Sequence, residues 1–113
     1  MIVREIVDIL QAEVVAGAAK IDNECSAGYT SDLLSNVMGQ AKAGSVWITM
    51  QGHQNIVAVA SLLGLSAVIL AGDVKPEKET ICKAEEEQIP LLITTLSSFT
   101  VAGLLHDKGI RGV

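Results

Sequence analysis

Four short polar segments hold most of the side chains that can do chemistry: Thr30-Ser31-Asp32, Gln51-Gly52-His53 with Asn55, Gly72-Asp73, and Thr94-Thr95 with Ser97. Each leads toward a stretch with helical character. Backbone N–H groups and the dipole at a helix N-terminus can hold an anion or the polar end of a ligand. The same residues also have a plainer use, since Ser31, Asp32 and Ser97 are good helix caps. His53 with Asp32 and Asp73 can be drawn as a metal site or an acid–base pair; the simpler alternative is a hydrogen-bonded turn histidine. Ser31 beside Asp32 is no catalytic dyad without a placed base. Phosphate chemistry is poorly served. The chain has neither GxGxxG nor GxxxxGK[ST], Lys75 is the one nearby cation, and Asp32 and Asp73 repel a phosphate unless a metal intervenes. Kinase-like nucleotide binding is therefore not expected, nor is any cofactor.

The elements that must position these residues follow from periodicity. Val3, Ile6, Val7 and Leu10 recur at helical spacing, which predicts a helix over 2–10. A short strand over 13–16 ends at Gly17, 20–24 connects, and 25–29 reads as a second strand. Thr30 or Ser31 caps a helix with a stripe of Leu33, Leu34, Val37 and Met38, which ends between Gly39 and Gly44. Strand 45–50 carries Trp47. The helix over 54–63 is apolar nearly all round, so it is expected to be covered on more than one side. Gly64 stops it, and the apolar strand 66–70 has the character of one buried on both faces of a parallel sheet. Pro76 is placed as the first residue of a helix over 76–88. Its Ile81, Ala84 and Cys82 are expected inward, and Glu85, Glu86 and Glu87 on a solvated face. Strand 91–94 follows. Ser97 caps a last helix whose Phe99, Val101, Ala102 and Leu105 face the core.

From Ser45 onward, strands and helices alternate with short connections, which predicts parallel strands joined by right-handed crossovers. The expected fold is a small three-layer α/β/α domain with a mostly parallel sheet, one domain over 1–113. In such sheets ligands bind beyond the carboxyl ends of the strands. The four polar segments then share one rim. The candidate ligand-binding set is Ser31, Asp32, Gln51, Gly52, His53, Asn55, Gly72, Asp73, Thr94 and Thr95.

Composition narrows the partners. Half of the 113 residues are hydrophobic, only Tyr29, Trp47 and Phe99 are aromatic, and the net charge is −5. So high an apolar fraction in a short chain points to a covered subunit contact, and a homodimer is the commonest such assembly. No basic cluster marks a nucleic-acid or anionic-membrane surface. No run approaches the roughly 20 apolar residues that span a bilayer, and the N-terminus lacks a signal-peptide core. Two cysteines without a CxxC, Cys25 and Cys82, suit a reducing cytoplasm. Cys25 is expected buried in its strand.

The segments TSDLLSNVM (30–38), WITMQGHQNIVAVASLLGLSAVIL (47–70) and AGDVKPEKETICKAEEEQIPLLITT (71–95) together resemble the DRTGG domain family. A glycine turn after a strand, a Pro-initiated helix and A-E-x-x-I-P leading to a strand and threonine carry the likeness, through Gly72, Pro76, Ala84, Glu85, Glu87, Ile89, Pro90 and Thr94. The family's Asp-Arg pair is replaced by Gln51-Gly52-His53-Gln54, and of its Thr-Gly-Gly only Gly72 remains. The resemblance implies a regulatory module without catalytic residues, similar to the N-terminal domain of HPr kinase/phosphorylase. It also implies company in pyrophosphatase and phosphotransacetylase regulatory regions, dimer contacts, and stand-alone relatives in anaerobic bacteria, some near iron-hydrogenase genes. Three functions remain open: a homodimeric module that senses a small ligand or docks on a partner enzyme, a small metal-assisted enzyme using Asp32, His53 and Asp73, and a purely structural dimerisation unit.

Overall fold

The computed structural model describes all residues from Met1 to Val113. Five strands, β1 (Glu13–Ala16), β2 (Ala27–Thr30), β3 (Ser45–Thr49), β4 (Ala67–Leu70) and β5 (Leu91–Ile93), form one sheet in the order β1-β5-β4-β3-β2. Neighbours from β2 to β5 run parallel, and β1 lies antiparallel on the β5 edge. The parallel part is what short β-α-β crossovers dictate. No such crossover joins β1 to β5, so that pair escapes the rule.

The helices are α1 (Val3–Leu10), α2 (Leu34–Gln40), α3 (Asn55–Leu63), α4 (Lys78–Glu87) and α5 (Ser98–Asp107). Strand alternation separates two cores. Val46, Ile48, Ala67, Ile69 and Leu92 point to the layer holding Val3, Ile6 and Leu10 of α1 with Val101 and Leu105 of α5. Trp47, Val68, Leu70 and Leu91 point the other way, toward Val37 of α2, Ile56, Val57 and Ala60 of α3, and Ala84 of α4. β3 and β4 are buried along their whole length because they are central and covered on both faces. This is the three-layer α/β/α fold the sequence predicts.

Several expectations are corrected. Leu33, not Thr30 or Ser31, stands at the N-cap of α2, without a side-chain cap. Pro76 lies two residues ahead of the first turn of α4, whose N-cap is Glu77. Cys25 is buried but precedes β2, and Cys82 is exposed on α4. Phe99 is 89% exposed, and Val101 and Leu105 are the residues by which α5 reaches the core. As expected, α3 is covered on more than one side, by α2, α4 and β4, although Leu62 stays 70% exposed. Ser97 does cap α5, its Oγ accepting the Thr100 N–H at 3.2 Å.

Candidate functional site at the strand-end rim

The carboxyl ends of β2, β3, β4 and β5 lead into the four polar turns, and the turns divide into two halves. In the β2–β3 half, the Asp32 side chain turns back onto the sheet. Its Oδ1 accepts the Thr49 hydroxyl at 2.8 Å and the Met50 N–H at 2.7 Å. The Gln51 amide donates to the Asp32 carbonyl at 3.3 Å, and the Trp47 indole N–H donates to the Ser31 carbonyl at 2.8 Å. Ser31 Oγ accepts the Leu33 N–H at 3.1 Å, a local turn bond. Asp32 is thus a tie between two strand ends and not a dipole cap. His53 is exposed, and its Nδ1 accepts the Asn55 N–H at 3.1 Å as α3 begins.

In the β4–β5 half, backbone bonds couple the two turns. The Gly72 N–H donates to the Leu96 carbonyl at 2.7 Å, and the Asp73 N–H donates to the Thr94 carbonyl at 3.0 Å. Gly72 and Asp73 both have positive φ, at 70° and 62°. Glycine adopts this readily and aspartate is among the residues that tolerate it. The turn does not enter a helix directly, as the sequence suggested, because residues 74–77 intervene before α4. The Asp73 carboxylate instead accepts from Lys75 Nζ at 2.9 Å in the open.

Gly52 joins the halves. Its carbonyl accepts the buried Thr80 hydroxyl at 2.7 Å and the Glu77 N–H at 3.1 Å. A Cβ at this position would lie 3.0 Å from the Lys75 carbonyl, so a larger residue would have to push the Lys75–Pro76 backbone away by a few tenths of an ångström.

The β4–β5 half opens into a cavity. Its volume is about 450 Å³, and Asp73, Lys75, Thr94 and Thr95 meet Gln11 and Glu13 there, over an apolar floor of Leu10, Ile93 and Leu96. Gln11 and Glu13 were not expected at the site. They arrive because β1 runs antiparallel to its neighbour, so its first residue lies at the rim together with the end of α1. The pairing of β1 is non-local and leaves no periodic signal in the sequence. A second cavity of about 300 Å³ lies beside the β2 edge, between α5 and residues 110–113. It takes only Thr30 from the four turns, and Arg111 there already donates to the His106 carbonyl.

Asp32, His53 and Asp73 do not assemble: Asp32 is bonded to Thr49 and Met50, His53 to Asn55 and Asp73 to Lys75, and no group of three His, Cys, Asp or Glu side chains is placed to hold a metal. Cys25 lies in the α1-side core, where burial pushes its thiol up from its ordinary 9.0 to about 11. Such a thiol is a poor nucleophile at neutral pH.

The sheet is parallel from β2 to β5, and the polar turns that follow those strands lie along one rim. The chain belongs to the DRTGG domain family, which matches residues 5–107. Among solved structures, it is similar to the CBS and DRTGG domains of the regulatory region of Clostridium perfringens pyrophosphatase, a crystal structure complexed with its activator, diadenosine tetraphosphate. The TM-score is 0.72 at 23% identity, over 88% of this chain and 44% of that one. The chain thus spans less than half of that neighbour, and the likeness is one of fold. No curated protein sequence matches. No helix is long and apolar enough to cross a membrane.

Proposed function

We propose that this domain is a non-catalytic regulatory module that binds a small ligand at the β4–β5 half of the rim and acts in the cytoplasm as a homodimer. The observation that carries the reading is the cavity bounded by Asp73, Lys75, Thr94, Thr95, Gln11 and Glu13. It offers both donors and acceptors: Lys75 has further protons beyond its bond to Asp73, and the hydroxyls of Thr94 and Thr95 can donate or accept. Asp73 and Glu13 oppose an unshielded phosphate there, so the cavity suits the hydroxyl- or amine-bearing part of a ligand. Of the rest of the predicted set, Gly72 ties the β4 turn to the β5 turn, Gly52 joins the two halves, and Ser31, Asp32, Gln51, His53 and Asn55 shape the other half. The enzyme alternative loses its support once Asp32, His53 and Asp73 fail to meet. A link to a partner enzyme of anaerobic energy metabolism rests on the family resemblance alone and belongs to the same proposal.

Calorimetric titration with adenosine, the adenine nucleotides and diadenosine tetraphosphate tests the reading. At least one compound is expected to bind, and Asp73→Asn is expected to weaken it by about tenfold, one hydrogen bond's worth of free energy. Binding that Asp32→Asn abolishes and Asp73→Asn leaves intact would place the site elsewhere.

A further inference from the structure

The cavity beside the β2 edge has no part in the rim. Its apolar walls come from Ile48 of β3, Ala102 and Leu105 of α5, and Ile110. At about 300 Å³ it is at the small end of ligand sites, with room for one ring or a short alkyl chain. Gly28 opens it. Tyr29 and Trp47 face the α2–α3 core, so Gly28 and Thr30, on either side of Tyr29 in β2, face α5. Glycine inside a strand weakens the strand and marks a place where another group comes close. Any side chain at position 28 would take up space here, its Cβ already 3.1 Å from Ile110 Cγ2.

The charge around this cavity is the reverse of the chain's. The net charge is −5, yet from Gln88 to Val113 the only acid is Asp107, against Lys108 and Arg111. Arg111 lines the cavity and no Asp or Glu does. Elsewhere a basic residue at a recess has carboxylates for company: Lys75 has Asp73 and Glu13, and Lys78 and Lys83 have Glu79 and Glu86. Arg111 is also held in place. Its carbonyl accepts the Gly28 N–H at 2.8 Å, Gly112 is bridged to Gly28, and Ile110 is only 7% exposed. One terminal nitrogen of its guanidinium donates to the His106 carbonyl, which leaves Nε and the other terminal nitrogen free to donate.

We propose that this cavity is a second ligand site, for a small organic acid whose carboxylate pairs with Arg111 and whose apolar body lies on Ile48, Leu105 and Ile110. A carboxylate matches the two free N–H directions of the guanidinium, which favours an acid over an alcohol of the same shape. The Thr30 hydroxyl, on the same face of β2 as Gly28, adds one more donor. The site does not depend on the ligand reading of the rim. The two cavities share no residue and ask for opposite charge. The adenine compounds that test the rim carry no carboxylate, so each site is read with its own probes.

Titration of the intact chain with benzoate, hexanoate and the uncharged benzyl alcohol, followed in ¹⁵N–¹H correlation spectra, tests the proposal. Both acids are expected to saturate at millimolar concentration, with the largest shifts on residues 28–30, 105–106 and 110–112. Benzoate is expected to bind about tenfold more tightly than benzyl alcohol, the worth of one charge-assisted hydrogen bond. Arg111→Gln should remove that preference, and Gly28→Val should remove binding of all three compounds. Ala102→Leu fills the cavity from α5 and takes the place of Gly28→Val should the latter fail to fold. Asp73→Asn should change none of these results. Failure of both acids to saturate would overturn the site, as would binding that persists in Gly28→Val and Ala102→Leu or shifts confined to the rim. An undiminished preference for benzoate in Arg111→Gln would overturn the pairing with Arg111 and with it the ligand class.

Discussion

The two halves of the rim are built from similar residues and reach opposite ends. Each has an aspartate just beyond a strand, Asp32 after β2 and Asp73 after β4. Asp32 spends its carboxylate on the Thr49 hydroxyl and the Met50 N–H, closing the gap between β2 and β3. Asp73 lies in a positive-φ turn that already bonds to the β5 turn through backbone groups, so its carboxylate is left for Lys75 and for the cavity. The position of an acid at a strand end therefore does not settle its role. What settles it is whether the neighbouring turn still lacks hydrogen-bond partners. In the first half the side chain supplies them, and in the second the backbone does.

If the first half is structural, substitutions there unfold the protein and leave the ligand site alone. The largest effect is expected at Trp47, fully buried with its indole N–H on the Ser31 carbonyl. Trp47→Ala should cost about 3–5 kcal/mol in chemical denaturation. Next is Asp32→Ala, which leaves the buried Thr49 hydroxyl and the Met50 N–H without their acceptor. A loss of about 1–3 kcal/mol is expected, with ligand affinity unchanged in the folded protein. Asp73→Asn reverses the pattern. Its ion pair is exposed, so stability should move by less than about 0.5 kcal/mol while affinity drops. Equal stability losses for Asp32→Ala and Asp73→Asn would erase the distinction between the halves.

A smaller effect belongs to neither half. Burial disfavours the Cys25 thiolate and pushes the thiol up from its ordinary 9.0 to about 11 in the folded protein. Between those values the unfolded chain releases a proton that the folded one keeps. Stability should be intact below pH 9 and decline toward pH 11. Cys25→Ala should flatten this decline in urea melts at pH 8 to 11, and a slope that persists unchanged would assign it to other groups.

The parallel core was legible because the chemistry of β3, β4 and β5 is local: apolar runs, short turns and helices of suitable length. Ser97 declared itself as a cap by type and position. Asp32 misled, because a carboxylate before a helix looks the same whether it bonds to its own helix or reaches across to Thr49. Phe99 and Cys82 misled because periodicity identifies a face and not how far the neighbouring layer extends. The largest omission was Gln11 and Glu13. Their place at the cavity depends on β1 pairing antiparallel with a strand about eighty residues away, and only the assembled sheet reveals that.

The most direct test of the central claim is a ¹⁵N–¹H correlation spectrum of the folded protein, recorded while a compound that binds it is titrated in. The account predicts that the earliest and largest shifts fall on residues 10–13, 73–75 and 94–96, around the cavity, with the Asp32, Met50 and Gln51 amides nearly still. Shifts centred on Asp32, His53 and Asn55, or on Tyr29 and His106 beside the other cavity, would contradict it.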